Sequence, residues 1–167
     1  MIARIRALAT KTATARERLD MNEAIREVMA LALDELRKNR VVVRTEFAPD
    51  LLPVSGDRVQ LQQVVLNLVM NGIEAMSGVD ERPRELIVRT QNDDAGQVRV
   101  TVQDSGIGLD PQSMERIFEA FYTTKHGGMG MGLSISRSII QNHGGRLWAV
   151  ANDGPGMSVQ FIIPKYQ

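Results

Sequence analysis

The residues best equipped for chemistry lie between Thr123 and Ser134, in the run Thr-Thr-Lys-His-Gly-Gly-Met-Gly-Met-Gly-Leu-Ser. Glycine exposes bare N–H groups to a ligand and adopts positive φ without strain. An apolar run with helical spacing follows at once, and a helix N-terminus adds unpaired N–H donors and partial positive charge. Such a loop is suited to holding phosphate, with Lys125 and the hydroxyls of Thr123 and Thr124 at its entrance. Two familiar phosphate loops are excluded. A Walker A loop ends in Gly-Lys-Ser/Thr, whereas Gly132 precedes Leu133 and Ser134. A Rossmann turn needs a preceding strand and a third glycine where Leu133 stands. A glycine cluster alone is equally compatible with a surface loop, so the rest of the chain has to decide.

A second candidate is Asn67 with Asn71, four residues apart. Asp57 to Met76 carries the clearest helical pattern, with Leu61, Val64, Val65, Leu68, Val69, Ile73 and Met76 on one face. The opposite stripe is Gln60, Gln63, Asn67, Asn71 and Glu74. Asparagine is a poor helix former, so two at this spacing point toward one object. Taken alone, they also suit a solvated helix face. A third candidate is Asp104-Ser105-Gly106-Ile107-Gly108, a tight turn after an apolar strand.

The positioning elements follow from periodicity. Asn22 to about Asn39 reads as a helix, with a capping box at Asp20 and Glu23. Val41 to Phe47 alternates like a strand. Leu86–Thr90 and Val98–Gln103 read as strands joined through Asn92–Gly96, with Val98, Val100 and Val102 facing the core. Residues 111–121 hold a short helical piece containing Phe118 and Phe121. Ile135, Ile139 and Ile140 mark a helix ending at His143-Gly144, where glycine suits a C-terminal cap. Leu147–Val150 and Met157–Ile163 form a final hairpin. This order predicts an α+β two-layer sandwich, a mixed and mostly antiparallel sheet packed on one side by about three helices.

Composition removes several function classes. The 167 residues suffice for one domain, and 43% hydrophobic content marks a folded chain. Lys plus Arg equal Asp plus Glu at 20 each, so nothing favours non-specific nucleic-acid binding. The absence of cysteine removes disulfides and thiol chemistry, and two histidines are too few for a His-rich metal site. No apolar run approaches membrane-spanning length. A cytoplasmic location with no direct membrane contact is expected.

Asn67 and Asn71, Asp104-Ser-Gly-Ile-Gly, Phe118 with Phe121, and the loop at 127–133 together resemble the N, G1, F and G2 boxes of the GHKL superfamily. Within it, the chain resembles the ATP-binding catalytic domain of sensor histidine kinases. Asn-Gly-Ile-Glu-Ala-Met at 71–76 and Phe-Tyr-Thr-Thr-Lys at 121–125 are similar to the nitrogen- and oxygen-sensing subgroup. The resemblance covers about residues 20–164 and implies a Bergerat-type fold with a mobile ATP lid.

By that resemblance, Asn67, Asn71 and Lys125 carry catalysis, with ATP and Mg²⁺ bound. Asn71 contributes its amide oxygen to Mg²⁺, which takes few protein ligands beside nucleotide phosphates. Asn67, one turn earlier, faces the phosphates. Asp104 accepts a hydrogen bond from adenine's amine, with Gly106, Ile107 and Gly108 passing close to the base. Phe118 and Phe121 anchor one end of the lid. Tyr122, Thr123, Thr124 and Lys125 open the lid, and Gly128, Met129, Gly130, Met131, Gly132 and Leu133 wrap the phosphates. Gly154, Gly156 and Ser158 match the last glycine box, with serine in place of a more usual threonine.

Three features matter. Hydrolysing relatives such as gyrase and the heat-shock chaperones carry Glu where Asn67 stands, and Asn cannot act as a base. Glu74 replaces a lysine found in many histidine kinases. Neither His126 nor His143 has the His-Glu/Asp context of the phosphoacceptor, and a capping role is expected for His143. The expected acceptor therefore lies on a dimerisation domain outside this chain. Residues 1–19 are read as the end of that domain's hairpin plus a linker, and 20–167 as the catalytic domain. The implied partners are the histidine-bearing domain of the same kinase and a response regulator, with no nucleic acid. A GHKL-type ATPase or a non-catalytic ATP-binding module is the alternative.

Overall fold

The computed structural model describes residues 16–119 and 132–167. In chain order the elements are β1 (Glu17–Leu19), α1 (Met21–Leu31), α2 (Leu33–Lys38), β2 (Val41–Glu46), β3 (Val54–Gly56) and α3 (Arg58–Ala75). Then come β4 (Arg84–Asn92), β5 (Gln97–Asp104), α4 (Pro111–Arg116), α5 (Gly132–Asn142), β6 (Arg146–Ala151) and β7 (Met157–Pro164).

The main sheet has five strands in the order β2-β4-β5-β7-β6. β2 runs parallel to β4, and the other pairings are antiparallel. Strand alternation sends Leu86, Val88, Val98, Val100, Val102, Phe161 and Ile163 to one face, where all are buried. Helices α1, α3 and α5 cover that face. The expected α+β sandwich is observed.

Helix α3 occupies the middle of the helical layer. Asp57 caps it, its Oδ1 accepting from the Gln60 N–H at 3.1 Å. Leu61, Val64, Val65, Leu68, Val69 and Ile73 are buried along one stripe, each removing about 1.5–3 kcal/mol of apolar exposure. Gly72 interrupts a good helix sequence for a packing reason. A Cβ there would sit 2.8 Å from Leu86 Cδ1 and 3.5 Å from Asp104 Cβ. Its absence lets the helix lie against the end of β5.

The N-terminal helix differs from the single element expected over 22–39. It breaks at Ala32, which adopts φ −85°, ψ −3° and serves as both C-cap of α1 and N-cap of α2. The buried stripe Ile25, Val28, Ala32, Leu36 continues across the break. Asp20 caps α1 as the sequence suggests, accepting from the Asn22 and Glu23 N–H groups. A small second sheet pairs β1 with β3 in antiparallel register, Glu17 with Gly56 and Leu19 with Val54. The Arg16 guanidinium also donates to the Asn142 carbonyl at the end of α5. Residues 16–19 are thus bonded to the same layer as α3 and α5.

Candidate functional site

The polar side of α3 is flanked at its C-terminal end and at its middle. At the C-terminal end, the Ile107 N–H meets the Ala75 carbonyl at 3.4 Å. A Cβ on Gly106 would lie 2.5 Å from that same oxygen. The turn after β5 is therefore pressed onto the last turn of α3. Gly108 has φ +71°, and Ile107 is 78% exposed. Midway along α3, Gly132 opens α5 against Asn67, whose amide atoms would be 2.7 Å from a Cβ there. Asn67 Nδ2 donates to Ser136 Oγ at 2.9 Å, and Ser136 is buried on α5. Asn67 to Ala75 is eight residues, about 12 Å of helix. Asn71 lies midway.

Asp104 ends β5 and is 6% exposed. Its Oδ1 accepts from the Gly106 N–H at 2.9 Å and the Met157 N–H at 3.3 Å. Burial pushes its pKa above the usual aspartate value, while those two N–H bonds pull the other way. A buried carboxyl with one oxygen held by backbone is suited to recognising a polar ligand edge.

Ser158 is buried on β7, and its hydroxyl donates to Asn152 Oδ1 at 2.6 Å. Of the last glycine box, Gly156 touches Asp104, whereas Gly154 has nothing within 4 Å of where a Cβ would stand. Leu133 packs against the core from the first turn of α5. Phe118 is half-buried, and the Arg137 guanidinium stacks over its ring at 4.5 Å. Phe121, Tyr122, Thr123, Thr124, Lys125, His126, Gly128, Met129, Gly130 and Met131 lie outside the described residues.

The sequence pattern did not single out Ser136, Arg137 or Asn152. Serine within a helix and asparagine in a hairpin carry no periodic signal. Only a polar residue on a predicted buried face could have marked Ser136. A cleft of about 560 Å³ crosses the sheet face away from α3, and its lining includes Asp104, Asn152 and Ser158. The strand ends that carry Asp104 are thus approached from both sides of the sheet.

The sequence profile of a family described as "Histidine kinase-, DNA gyrase B-, and HSP90-like ATPase" matches residues 56–167. The chain belongs to that family. Sensor protein FixL of Bradyrhizobium diazoefficiens is 38% identical over 98% of this chain and 32% of its own length. Sporulation kinase A of Bacillus subtilis is 34% identical over 90% of this chain and 24% of its own length. This member therefore spans about a third or less of those curated relatives. Among solved structures, the nucleotide-free catalytic domain of histidine kinase ThkA superposes with a TM-score of 0.79 at 36% identity. That match covers 90% of this chain and 97% of that domain. ThkA in complex with its response regulator TrrA gives 0.76 at 34% identity, over 90% of this chain and 42% of the other. This member has the fold of a histidine kinase catalytic domain.

Proposed function

We propose that residues 20–167 bind ATP along α3 and donate its γ-phosphoryl group to a histidine on a separate dimerisation domain. The observation that carries this is a pair of contacts on the C-terminal half of one helix. Asp104 and the Gly106 turn lie against the stretch from Gly72 to Ala75, and the Gly132-led helix lies against Asn67 at mid-helix, eight residues before Ala75. The separation, about 12 Å, suits a purine at the first and phosphates at the second. Asp104 accepts the adenine amine. The N-terminus of α5 and Lys125 meet phosphate charge.

The donor set on α3 suits Mg²⁺. Among the described residues no three His, Cys, Asp or Glu side chains form a metal cluster, so an all-protein cage is not available there. Magnesium instead keeps most of its waters and takes one or two protein oxygens beside phosphates. We assign one such oxygen to Asn71, four residues after Asn67 on α3. Bound there, the ion would neutralise charge on the phosphates.

Phosphoryl transfer asks mainly for positioning and charge neutralisation. The bond between the γ-phosphorus and the bridging oxygen breaks, ADP leaves, and an imidazole nitrogen of the acceptor forms the new bond to phosphorus. Asn67 in place of a base supports transfer over hydrolysis. Residues 1–19 are assigned to the acceptor domain's hairpin and linker, and a response regulator is the downstream partner. Among the described residues no helix is long and apolar enough to cross a membrane. The proposed use of ATP is the ground on which we assign the domain to the cytoplasm.

The decisive experiment mixes the chain with a separately prepared histidine-hairpin domain and γ-labelled ATP. Label should appear on the hairpin and be lost in Asp104→Ala and Asn71→Ala. Binding without any transfer to a competent hairpin would make this a nucleotide-binding module instead.

A further inference from the structure

The hairpin between β6 and β7 is fastened to Asp104 by one side chain. Asn152 Nδ2 donates to the Asp104 carbonyl at 2.8 Å and to the Pro155 carbonyl at 3.0 Å. Its Oδ1 accepts from Ser158 Oγ at 2.6 Å. The amide orientation is fixed by chemistry, because two carbonyls can only accept. The Asn152 N–H closes the turn onto the Gly156 carbonyl at 3.2 Å. Every hydrogen-bonding group of this carboxamide is therefore spent between the turn, β7 and the last residue of β5.

The consequence reaches the Asp104 carboxylate. Met157, the first residue of β7, supplies one of the two N–H groups on Oδ1. Gly156 packs directly against the Asp104 backbone; a Cβ on it would lie 2.1 Å from the carbonyl oxygen and 2.8 Å from Oδ1. With Oδ1 held by Gly106 and Met157, the carboxylate has one rotation available. Among the described residues no hydrogen bond reaches Oδ2, which leaves it as the acceptor for a ligand.

We infer that Asn152 is a positioning residue for purine selectivity: through its bonds to Asp104 and Ser158 it aims Asp104 Oδ2 at a purine's C6 substituent. This rests on the reading of Asp104 as the adenine-recognising group. A C6 amine donates to a fixed carboxylate oxygen, whereas a C6 carbonyl is repelled by it. A carboxylate free to rotate loses that contrast, because it can turn away from the carbonyl. Recognition by a polar group at a set position is what makes the penalty for the wrong partner large.

The test compares ATP with inosine triphosphate, which carries a carbonyl at C6, by titration calorimetry on the full chain. The unaltered protein should prefer ATP by on the order of a hundredfold or more. Asn152→Ala should narrow that preference about tenfold, mostly by weakening ATP. Ser158→Ala, which removes only a hydroxyl, should narrow it in the same direction, and Ser158→Thr should restore it. A role confined to folding would lower the melting temperature while leaving the ATP-to-inosine ratio intact, and that result in both Asn152→Ala and Ser158→Ala overturns the inference. Should Asn152→Ala fail to fold, the Ser158 pair decides alone. Asp104→Ala separates the two levels. If it binds ATP like the unaltered protein, the adenine reading itself fails; if it loses ATP while the Asn152 and Ser158 variants keep full selectivity, only the positioning role fails.

Discussion

Asn67 and Ser136, separated by 69 residues in sequence, share a hydrogen bond of 2.9 Å that joins α3 to α5. The same carboxamide is the surface against which Gly132 packs. Asn67 is thus held by the helix that follows the glycine loop, and the two helices that flank the proposed phosphate end are joined through it. Ser136→Ala should cost about 1–2 kcal/mol, since it leaves the Asn67 amide without its buried partner. Gly132→Ala should break the same bond by displacing the Asn67 side chain. The double variant should then lose less than the two single losses combined. Urea unfolding midpoints of the four proteins measure this; simple additivity would mean that Asn67 keeps its bond to Ser136 despite the added methyl group.

Much of this arrangement was legible in the sequence. Helix α3 was clear because its apolar stripe runs for five turns and Asp57 carries a capping pattern. The hairpins were clear because the apolar run Leu86–Val88 precedes Asn92–Gly96, valines alternate after it, and isoleucines follow Met157. Strands β1 and β3 were not, because three residues each are too few to show a period of two, and only their mutual pairing makes them strands. The break at Ala32 was hidden because the buried stripe is continuous across it. In the site, Asp104 was readable from its glycine-rich context. Asn152 was not, since its role arises from strands brought together by pairing of β5 with β7, a contact between distant segments that local spacing does not encode.

Asp104, the proposed adenine reader, carries a cost in stability. Its pKa is raised by burial, so the folded protein binds that proton more tightly than the unfolded chain does. The favourable contribution is present below the unfolded value, about 3.9, and is lost as pH rises through the folded value. At neutral pH a buried charge remains. Asp104→Asn removes it and keeps an oxygen to accept the Gly106 and Met157 N–H groups. The ligand-free variant should melt a few degrees higher at pH 7. Its free atom would then be an amide NH₂, a donor facing another donor on adenine. ATP affinity should fall more than tenfold, and inosine triphosphate should bind relatively better. Calorimetry on both nucleotides and a thermal scan check these outcomes. A variant less stable than its parent would show that the two N–H bonds need a full carboxylate.

Gly154 and Gly156 belong to one sequence motif, but the structure gives them different work. Gly156 has φ +94° and meets the Asp104 backbone. Gly154 has open space around it. Gly156→Ala should destabilise the domain by at least about 2 kcal/mol through strain and collision, and ATP binding should go with it. Gly154→Ala should stay within about 0.5 kcal/mol of the parent and bind ATP normally. Equal effects from the two substitutions would contradict the assignment of the contact to Gly156.

His143 is a buried neutral cap shared by two helices. Its Nδ1–H donates to the Ile139 carbonyl at 2.8 Å, and its Nε2 accepts from the Asp57 N–H at 3.1 Å. An N–H donor on Nε2 requires that nitrogen to be unprotonated. Burial, with the nearby Arg16 charge, holds the imidazole pKa below its ordinary value, against the opposing pull of the Ile139 carbonyl and Asp57. The unfolded chain therefore takes up the proton first. The stabilising contribution is complete above about pH 6.5 and is lost as pH falls through the folded value. Protonation would place a donor against the Asp57 N–H at the start of α3, so acid should loosen the helix that carries Asn67 and Asn71. His143→Gln, with an amide oxygen to accept from Asp57 and an NH₂ to donate, should flatten the stability profile between pH 7 and 5. Unfolding free energies measured across that range for both proteins provide the check, with His126→Gln as the control for the chain's other histidine. An unchanged slope in His143→Gln would assign the acid sensitivity to other groups.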